Sequence, residues 1–372
     1  MNRKLIICIP SLRLGGAAKV ALNLTEYYRE NGTDVTLILT DSSANELGFA
    51  DVAAGTKVIT LKYSTIHRFI KPFMNMFQLY KHFRKIQPDA ILAVRHDATA
   101  SASMAWKLAG KPGGFFIREI NPITKTLKRN RFMIRLVRAA YRAANGVIAN
   151  SKDVSDALLS KNWMDPEKIH AVDNPVITKT FFRKADVAIN DPWLNASGDP
   201  LFITIGRLDP MKDHATMIRA FAKVHARKAS RLLLIGEGRE RPKLEALIAS
   251  LNLKDAVKLA GAIENPYPFL KRADVFVLSS EFEGFGNVLV EALSLGKKVV
   301  STNCIGGPAH ILGQGTYGAL VEVGNADQLA EAMYNAMQEE VDPQPLIRRA
   351  EDFSATVIGA KYSEIMFDKV KV

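Results

Sequence analysis

A chain of 372 residues, 48% hydrophobic and 24% charged, is longer than one core usually organises and too ordinary in composition for a disordered or fibrous protein, so two globular domains are expected. Its two cysteines, Cys8 and Cys304, lie far apart without metal-ligand spacing, which excludes a disulfide framework and reads as reduced, buried thiols in a cytoplasmic protein. The formal charge of +12 is one-sided: residues 1–180 hold 27 Lys and Arg against 14 Asp and Glu, the remainder 23 against 24, which points to an anionic partner for the first half, whether membrane lipid, nucleic acid or a phosphorylated substrate.

The run LIICIP behind Arg3 and Lys4 is too short for a secretory signal and reads as a first strand, KLIICIPSL. GGAAKVALNLTEYYREN follows with a helical spacing that turns Ala18, Leu22 and Leu24 toward a core. DVTLILT and AILAV (90–94) are further buried strands. GGFFIREINP is a short strand with a turn and NGVIANS another strand. SKDVSDALLSKNW is a helix with Ser151 as its N-cap. Strands separated by helices of about 10–15 residues imply a parallel, helix-covered sheet. No stretch approaches the roughly 18 apolar residues of a membrane span.

Between 174 and 200 the periodicity disappears, and the domain junction is placed near 178–198. The pattern then restarts: LFITIGRLD, RLLLIGEG, AVKLAG, VFVLSS and KVVST read as strands, and HATMIRAFAKVHA, RPKLEALIASL, ENPYPFLKRA and NVLVEALSLG as the helices between them. The last segment, FSATVIGAKYSEIMFDKV, reads as a terminal helix. Two doubly wound α/β units facing a central cleft are therefore expected.

Ligands of open α/β sheets bind beyond the carboxyl ends of the strands. After LFITI come Gly206, Arg207 and, a few residues on, Lys212: a planar fork and a flexible point charge suited to a diphosphate. After LLLI come Gly236 and Gly238, which would let a ligand approach the backbone. After VFVLSS comes EFEGFGNVLVE (281–291). Gly284 and Gly286 can take unusual dihedrals there, and a helix starting near Asn287 would aim its first N–H groups at phosphate or electron-rich oxygens. Glu283 lies in the loop and Glu291 about one turn into the helix. Taken singly, each could be a tight turn, a solvated face or a carboxylate complementing a helix dipole; three successive strand ends of one half point to a ligand. LRLGGAAK lacks a dinucleotide fingerprint, and no P-loop is present.

EFEGFGNVLVEALSLGKKVVST resembles the Glu-x7-Glu signature of the retaining glycosyltransferases of family 4, of the bacterial surface-polysaccharide type, and the resemblance runs over nearly the whole chain. GRLDPMKD, LLLIGEGRERPKLE and NCIGGPAHIL are similar to further segments of that family's donor domain, RLGGAAKV to the glycine turn of its acceptor domain, and DNPV to the start of its linker. The resemblance implies a GT-B fold: two Rossmann-like domains, an acceptor domain at 1–178, a linker at 179–198, a nucleotide-sugar domain at 199–350, and a helix at 351–372 that crosses back to the first domain. It implies that Arg207 and Lys212 hold the donor diphosphate and Glu291 the ribose. Glu283 would take the sugar hydroxyls near the backbone of Phe285, Gly286 and Asn287, with Gly206, Gly236 and Gly238 lining the donor site. Gly15 and Gly16 would let the first-domain turn approach the phosphates. Anomeric retention would follow front-face attack, without a metal or other cofactor, and UDP is the nucleotide by family prevalence.

Where many relatives carry a histidine, this chain reads Arg118-Glu119-Ile120-Asn121-Pro122. Glu119 either orients the acceptor hydroxyl or is a buried carboxylate paired with Arg118. Asn121 and His96 are secondary acceptor-side candidates, and His310 departs from the glutamate that relatives often place in the GGPAHIL loop. Residues 125–142 hold seven Lys and Arg and no acid, with Arg131, Arg135, Arg138 and Arg142 on one helical stripe, and IHRFIKPFMNMFQLYKHFRK is a second basic stretch. Such helices suit an anionic membrane surface, or are domain helices with a solvated basic face. The expectation is a cytoplasmic enzyme, peripheral at the inner face of the plasma membrane, moving GlcNAc, GalNAc or a hexose from UDP to a lipid-linked or oligosaccharide acceptor. No nucleic-acid motif supports that partner. A GDP-sugar mannosyltransferase, a nucleotide-sugar epimerase and a non-catalytic binder remain as alternatives.

Overall fold

The computed structural model describes residues 2–12, 15–41, 51–62, 71–120, 131–195 and 198–368, without the side chains of Lys71, Pro72, His96, Asp97, Arg131 and Phe132. Two compact units emerge: residues 1–178 with 354–372, and residues 179–353. The first holds β1 (Lys4–Ile9), α1 (Gly16–Glu30), β2 (Asp34–Leu39), β3 (Lys57–Thr60), α2 (Lys71–Ile86), β4 (Ala90–Val94), α3 (His96–Leu108), β5 (Gly114–Glu119), α4 (Arg131–Ala143), β6 (Gly146–Ala149), α5 (Lys152–Leu159) and β7 (Ile169–Ala171). Its seven parallel strands run in the order β3-β2-β1-β4-β5-β6-β7.

Strand alternation splits β1 between two cores. Leu5, Ile7 and Ile9 join one face of the sheet, under α1, and Ile6 and Cys8 the other, with Leu79 and Phe83 of α2 and Val137 and Tyr141 of α4. Helices on both faces explain why β1 and β4 read as unbroken apolar runs. On the second face α3 is buried from Ala98 to Ser103, its alanines, serines and threonine small enough for α2 and α4 to pack against it. Ser151 caps α5 as its sequence indicates, accepting from the Val154 N–H at 3.3 Å.

The second unit holds α6 (Lys179–Ala185), α7 (Pro192–Asn195), β8 (Leu201–Ile205), α8 (His214–Arg227), β9 (Arg231–Ile235), α9 (Arg241–Ser250), β10 (Val257–Gly261), α10 (Tyr267–Arg272), β11 (Val275–Leu278), α11 (Asn287–Ser294), β12 (Lys298–Thr302), α12 (Pro308–Ile311), β13 (Ala319–Val321), α13 (Ala326–Gln338) and α14 (Gln344–Glu351). Its six parallel strands run β10-β9-β8-β11-β12-β13. The stretch 179–198, read from sequence as a linker, carries α6 and α7 and belongs to this unit. Phe181 of α6 packs edge-on against Tyr267 of α10, 4.7 Å between ring centres, which anchors it there.

The chain returns to the first unit at Ser354 rather than 351, and α15 (Ala355–Ser363) packs on α1. The outgoing and returning segments touch: Ile177 bridges Ser354, and the Ala355 N–H donates to the Ile177 carbonyl at 2.8 Å. Buried Arg118 ties both to β5, donating from Nε to the Tyr362 hydroxyl at 3.0 Å and from Nη2 to Asn174 Oδ1 at 2.5 Å.

Candidate active site

In both sheets the strand order reverses at one point, between β1 and β4 in the first unit and between β8 and β11 in the second. A doubly wound sheet opens a crevice there, beyond the strand ends. The segments carrying Arg207 and Lys212, after β8, and Glu283 and Gly286, after β11, are therefore neighbours although far apart in sequence.

Lys212 Nζ donates to Glu283 Oε1 at 2.5 Å, with only 19% and 10% of the two side chains exposed. The Ser280 hydroxyl donates to the same oxygen at 2.7 Å. Asp213 directs Lys212 there: it takes a left-handed conformation (φ 41°), ends the short turn Pro210–Lys212 and caps α8 by accepting from the Thr216 N–H. Backbone bonds lock the two segments together, with the Glu281 N–H on the Met211 carbonyl and the Ser279 hydroxyl on the Lys212 carbonyl. Arg207 is 72% exposed and holds Asp209 at 3.0 Å. His214 is buried, and desolvation and the Lys212 charge lower its pKa to about 4, so it stays neutral. Burial and Glu283 raise the Cys304 thiol to about 11, and Cys8 is likewise buried and free, so both remain protonated thiols.

The helix α11 begins at Asn287, on Gly286 in a left-handed conformation (φ 93°), with no side-chain cap. Its first turn offers backbone N–H groups to an anion. The Phe285 ring is buried against Phe353, 5.7 Å between centres, so only its backbone faces this role. Glu291 is buried in α11, its Oε1 3.5 Å from the Tyr267 hydroxyl.

Several of the glycines expected at the site serve close packing of backbone within this unit. A Cβ on Gly236 would lie 1.8 Å from the Gly206 carbonyl oxygen, and one on Gly238 2.4 Å from that of Leu208, so these residues let two backbone segments touch. Gly206 itself would tolerate a Cβ, 3.8 Å from the nearest atom, in Lys212. Gly306 and Gly307 bring the loop after β12 onto the backbone of Glu283 and Phe285, at 1.8 and 1.7 Å from their oxygens. Sequence reading saw this loop but missed what its glycines press against. His310, in α12, packs edge-on against Phe353.

In the first unit, Gly15 and Gly16 are exposed at the start of α1, and Gly15 is in extended backbone that needs no glycine. Glu119 ends β5, buried; its Oε2 accepts from the Tyr141 hydroxyl at 2.6 Å and its Oε1 from the Ile120 N–H at 3.0 Å. The expected alternative of a Glu119–Arg118 pair does not form, because consecutive strand residues face opposite sides of the sheet. Burial and the Glu119 charge push the Tyr141 hydroxyl well up, which keeps it a donor. His96 begins α3 at the switch point, with its side chain among those not described. Arg95 before it was not anticipated: its φ of 69° and ψ of 148° are costly for any side chain, by about 1–3 kcal/mol, and mark the end of β4. Asn121 lies outside the described residues. Arg135, Arg138 and Arg142 are exposed along α4; Arg131 begins it. Among the described residues no group of three or more His, Cys, Asp and Glu could hold a metal ion.

Comparison with known proteins adds an independent line. Residues 188–353 match the family model "Glycosyl transferases group 1", and residues 14–180 match "Glycosyltransferase Family 4". A Campylobacter jejuni protein named N-acetylgalactosamine-N,N'-diacetylbacillosaminyl-diphospho-undecaprenol 4-alpha-N-acetylgalactosaminyltransferase is 31% identical over 65% of this chain and 61% of its own length. The matched region thus spans less than two thirds of that relative. A Rhizobium meliloti lipopolysaccharide core biosynthesis glycosyltransferase, LpsE, is 29% identical over 77% of this chain and 81% of its own. Among solved structures, Anabaena HepE in complex with UDP and glucose superposes with a TM-score of 0.75 at 19% identity, covering 98% of this chain and 99% of that one.

The fold is GT-B, and the chain, whose two halves match these two glycosyltransferase models, belongs to glycosyltransferase family 4.

Proposed function

We propose that this protein transfers a sugar, with retention of anomeric configuration, from UDP to a lipid-linked or oligosaccharide acceptor during surface-polysaccharide assembly at the cytoplasmic face of a membrane. The observation that carries the reading is the buried Lys212–Glu283 pair beside Arg207 and the start of α11, at the switch point of the second sheet. In this reading Arg207 and Lys212 hold the diphosphate, and Glu291 the ribose. Glu283, fixed by Lys212 and Ser280, takes the sugar hydroxyls. The bond between the anomeric carbon and the phosphate oxygen breaks, and the bond to the acceptor oxygen forms on the same face. The acceptor proton passes to the departing phosphate oxygen. Charge growing on UDP meets two cations and a helix N-terminus already in place, an arrangement that stabilises the transition state without a metal. Glu119, pre-oriented by Tyr141, serves the acceptor. Arg135, Arg138 and Arg142, exposed on a helix without an acid that begins at Arg131, face the anionic membrane. The bound UDP of HepE supports the nucleotide, and the undecaprenol-linked name of the Campylobacter relative supports a lipid-linked acceptor and an N-acetylhexosamine.

Thermal unfolding with UDP, GDP, ADP and NAD tests the donor half. UDP alone is expected to raise the midpoint, by a stabilisation of about 2.7 kcal/mol at 100 times its Kd, and Arg207→Ala to abolish the rise. A rise with GDP alone overturns the choice of UDP in favour of a GDP-sugar. Turnover is expected to be unchanged by EDTA; abolition by EDTA with recovery on manganese overturns the metal-free mechanism.

A further inference from the structure

The helix α2 contains no acid, and its apolar residues are not all used in the core. Leu79 and Phe83 are buried there, with Asn75 one turn earlier. The opposite side is a single exposed stripe: Phe73 (43% exposed), Phe77 (57%), Lys81, Arg84 and Lys85. The spacing i, i+4, i+8 lines these residues up, aromatic at the first half of the helix and cationic at the second. Two neighbouring phenylalanines left in water cost more than a lone exposed apolar residue, and ask for an occupant.

The neighbourhood indicates which one. Arg135, Arg138 and Arg142 are exposed on α4, which packs on the same face of the sheet as α2, with α3 touching both. Neither α2 nor α4 contains an aspartate or glutamate. An aromatic pair flanked by cations on two helices of one layer is complementary to a surface that is anionic outside and apolar just beneath. A nucleic-acid partner would supply the first property without the second.

We propose that α2 is the penetrating element of a membrane-docking surface: Phe73 and Phe77 enter the boundary between headgroups and acyl chains of an anionic bilayer, while Lys81, Arg84 and Lys85 and the arginines of α4 hold the headgroups. This rests on the membrane reading given above and adds to it the element that inserts and a division of labour between the two helices. Basic residues supply attraction that salt screens, and aromatic residues supply attachment that salt does not.

The test uses the full chain and vesicles of phosphatidylglycerol and phosphatidylethanolamine, with neither donor nor acceptor, so it is independent of sugar transfer. Phe77→Cys offers a selective label, since Cys8 and Cys304 are both buried. An environment-sensitive fluorophore there is expected to shift to the blue on vesicle binding and to keep the shift at high salt. Arg135→Gln/Arg138→Gln is expected to weaken sedimentation with vesicles about thirtyfold at low salt, at about fivefold per basic residue. Phe73→Ser/Phe77→Ser is expected to lose about tenfold at every salt concentration, with a circular dichroism spectrum and melting midpoint like those of the parent. Labelled protein that sediments with vesicles while the probe stays aqueous overturns the insertion of α2 and leaves the membrane reading standing. Parent protein that ignores vesicles and binds a single-stranded polynucleotide overturns both.

Discussion

Replacing Lys212 by methionine is expected to lower kcat/KM for the sugar donor by a factor of about 10²–10³ and, in the same protein, to lower the stability of the second unit. In the mechanism proposed above, the first effect follows from removing a fixed cation from beside the leaving phosphates, worth about 3–4 kcal/mol in the transition state. The second follows from the native pair. Without Lys212, the Glu283 carboxylate keeps only the Ser280 hydroxyl among its two side-chain donors of 2.5 and 2.7 Å. Breaking a buried pair by removing one partner costs about 3–5 kcal/mol, and the 19% exposure of Lys212 places this one at the lower end. The double variant Lys212→Met/Glu283→Gln separates the two roles, since it removes the stranded charge and recovers most of the stability while activity stays low. Urea unfolding and steady-state kinetics on the three proteins measure both. A stability loss in Lys212→Met with kcat/KM untouched would assign the pair to folding alone.

Gly307→Ala is expected to reduce turnover by about 10²-fold or more, although Gly307 itself bears no chemistry. The added Cβ would sit 1.7 Å from the Phe285 carbonyl oxygen and 2.6 Å from its carbon. Both are backbone atoms, so no side-chain rotation relieves the clash, and the loop after β12 must lift from the segment that carries Glu283 and starts α11. A displacement of about 1 Å at positioned groups is enough for such a loss. Gly198→Ala is the control: its Cβ meets nothing within 4 Å, and its melting midpoint and kinetics are expected to match the parent, within about 0.5 kcal/mol. A Gly307→Ala enzyme with full activity would show that this loop does not brace the donor segment.

The central strands were legible because burial on both faces makes them continuous apolar runs, as in KLIICI and AILAV. Local chemistry also fixed the start of α11 at Asn287 and the cap at Ser151. The outer strands β3, β7 and β13 were not read, since they span only four, three and three residues and leave too short a pattern. Residues 179–198 looked like a linker because a seven-residue and a four-residue helix cannot show an amphipathic repeat. In the site, the residue types after each strand suggested a ligand. The pairing of Lys212 with Glu283 was invisible, because it depends on β8 and β11 being neighbours across a crossover. The partners of Gly236, Gly238, Gly306 and Gly307, like those of Glu119 and Arg118, are also non-local, and residue type alone does not name them.

The contact between Ile177 and the segment at Ser354 and Ala355 makes the second unit an insertion within the first. During synthesis the first unit therefore remains incomplete while residues 179–353 are made. The second unit, continuous in sequence, can fold as it leaves the ribosome. Until α15 arrives, Arg118 lacks the Tyr362 hydroxyl, and the α1 side of the first sheet lacks Ile358, Tyr362, Ile365 and Met366 from its core. A nascent chain stopped after Phe353 would hold a folded second unit tethered to an open first unit, with apolar surface for chaperones to cover. Ordering of the first unit is thus withheld until translation has passed the second, and premature termination leaves no complete first unit behind.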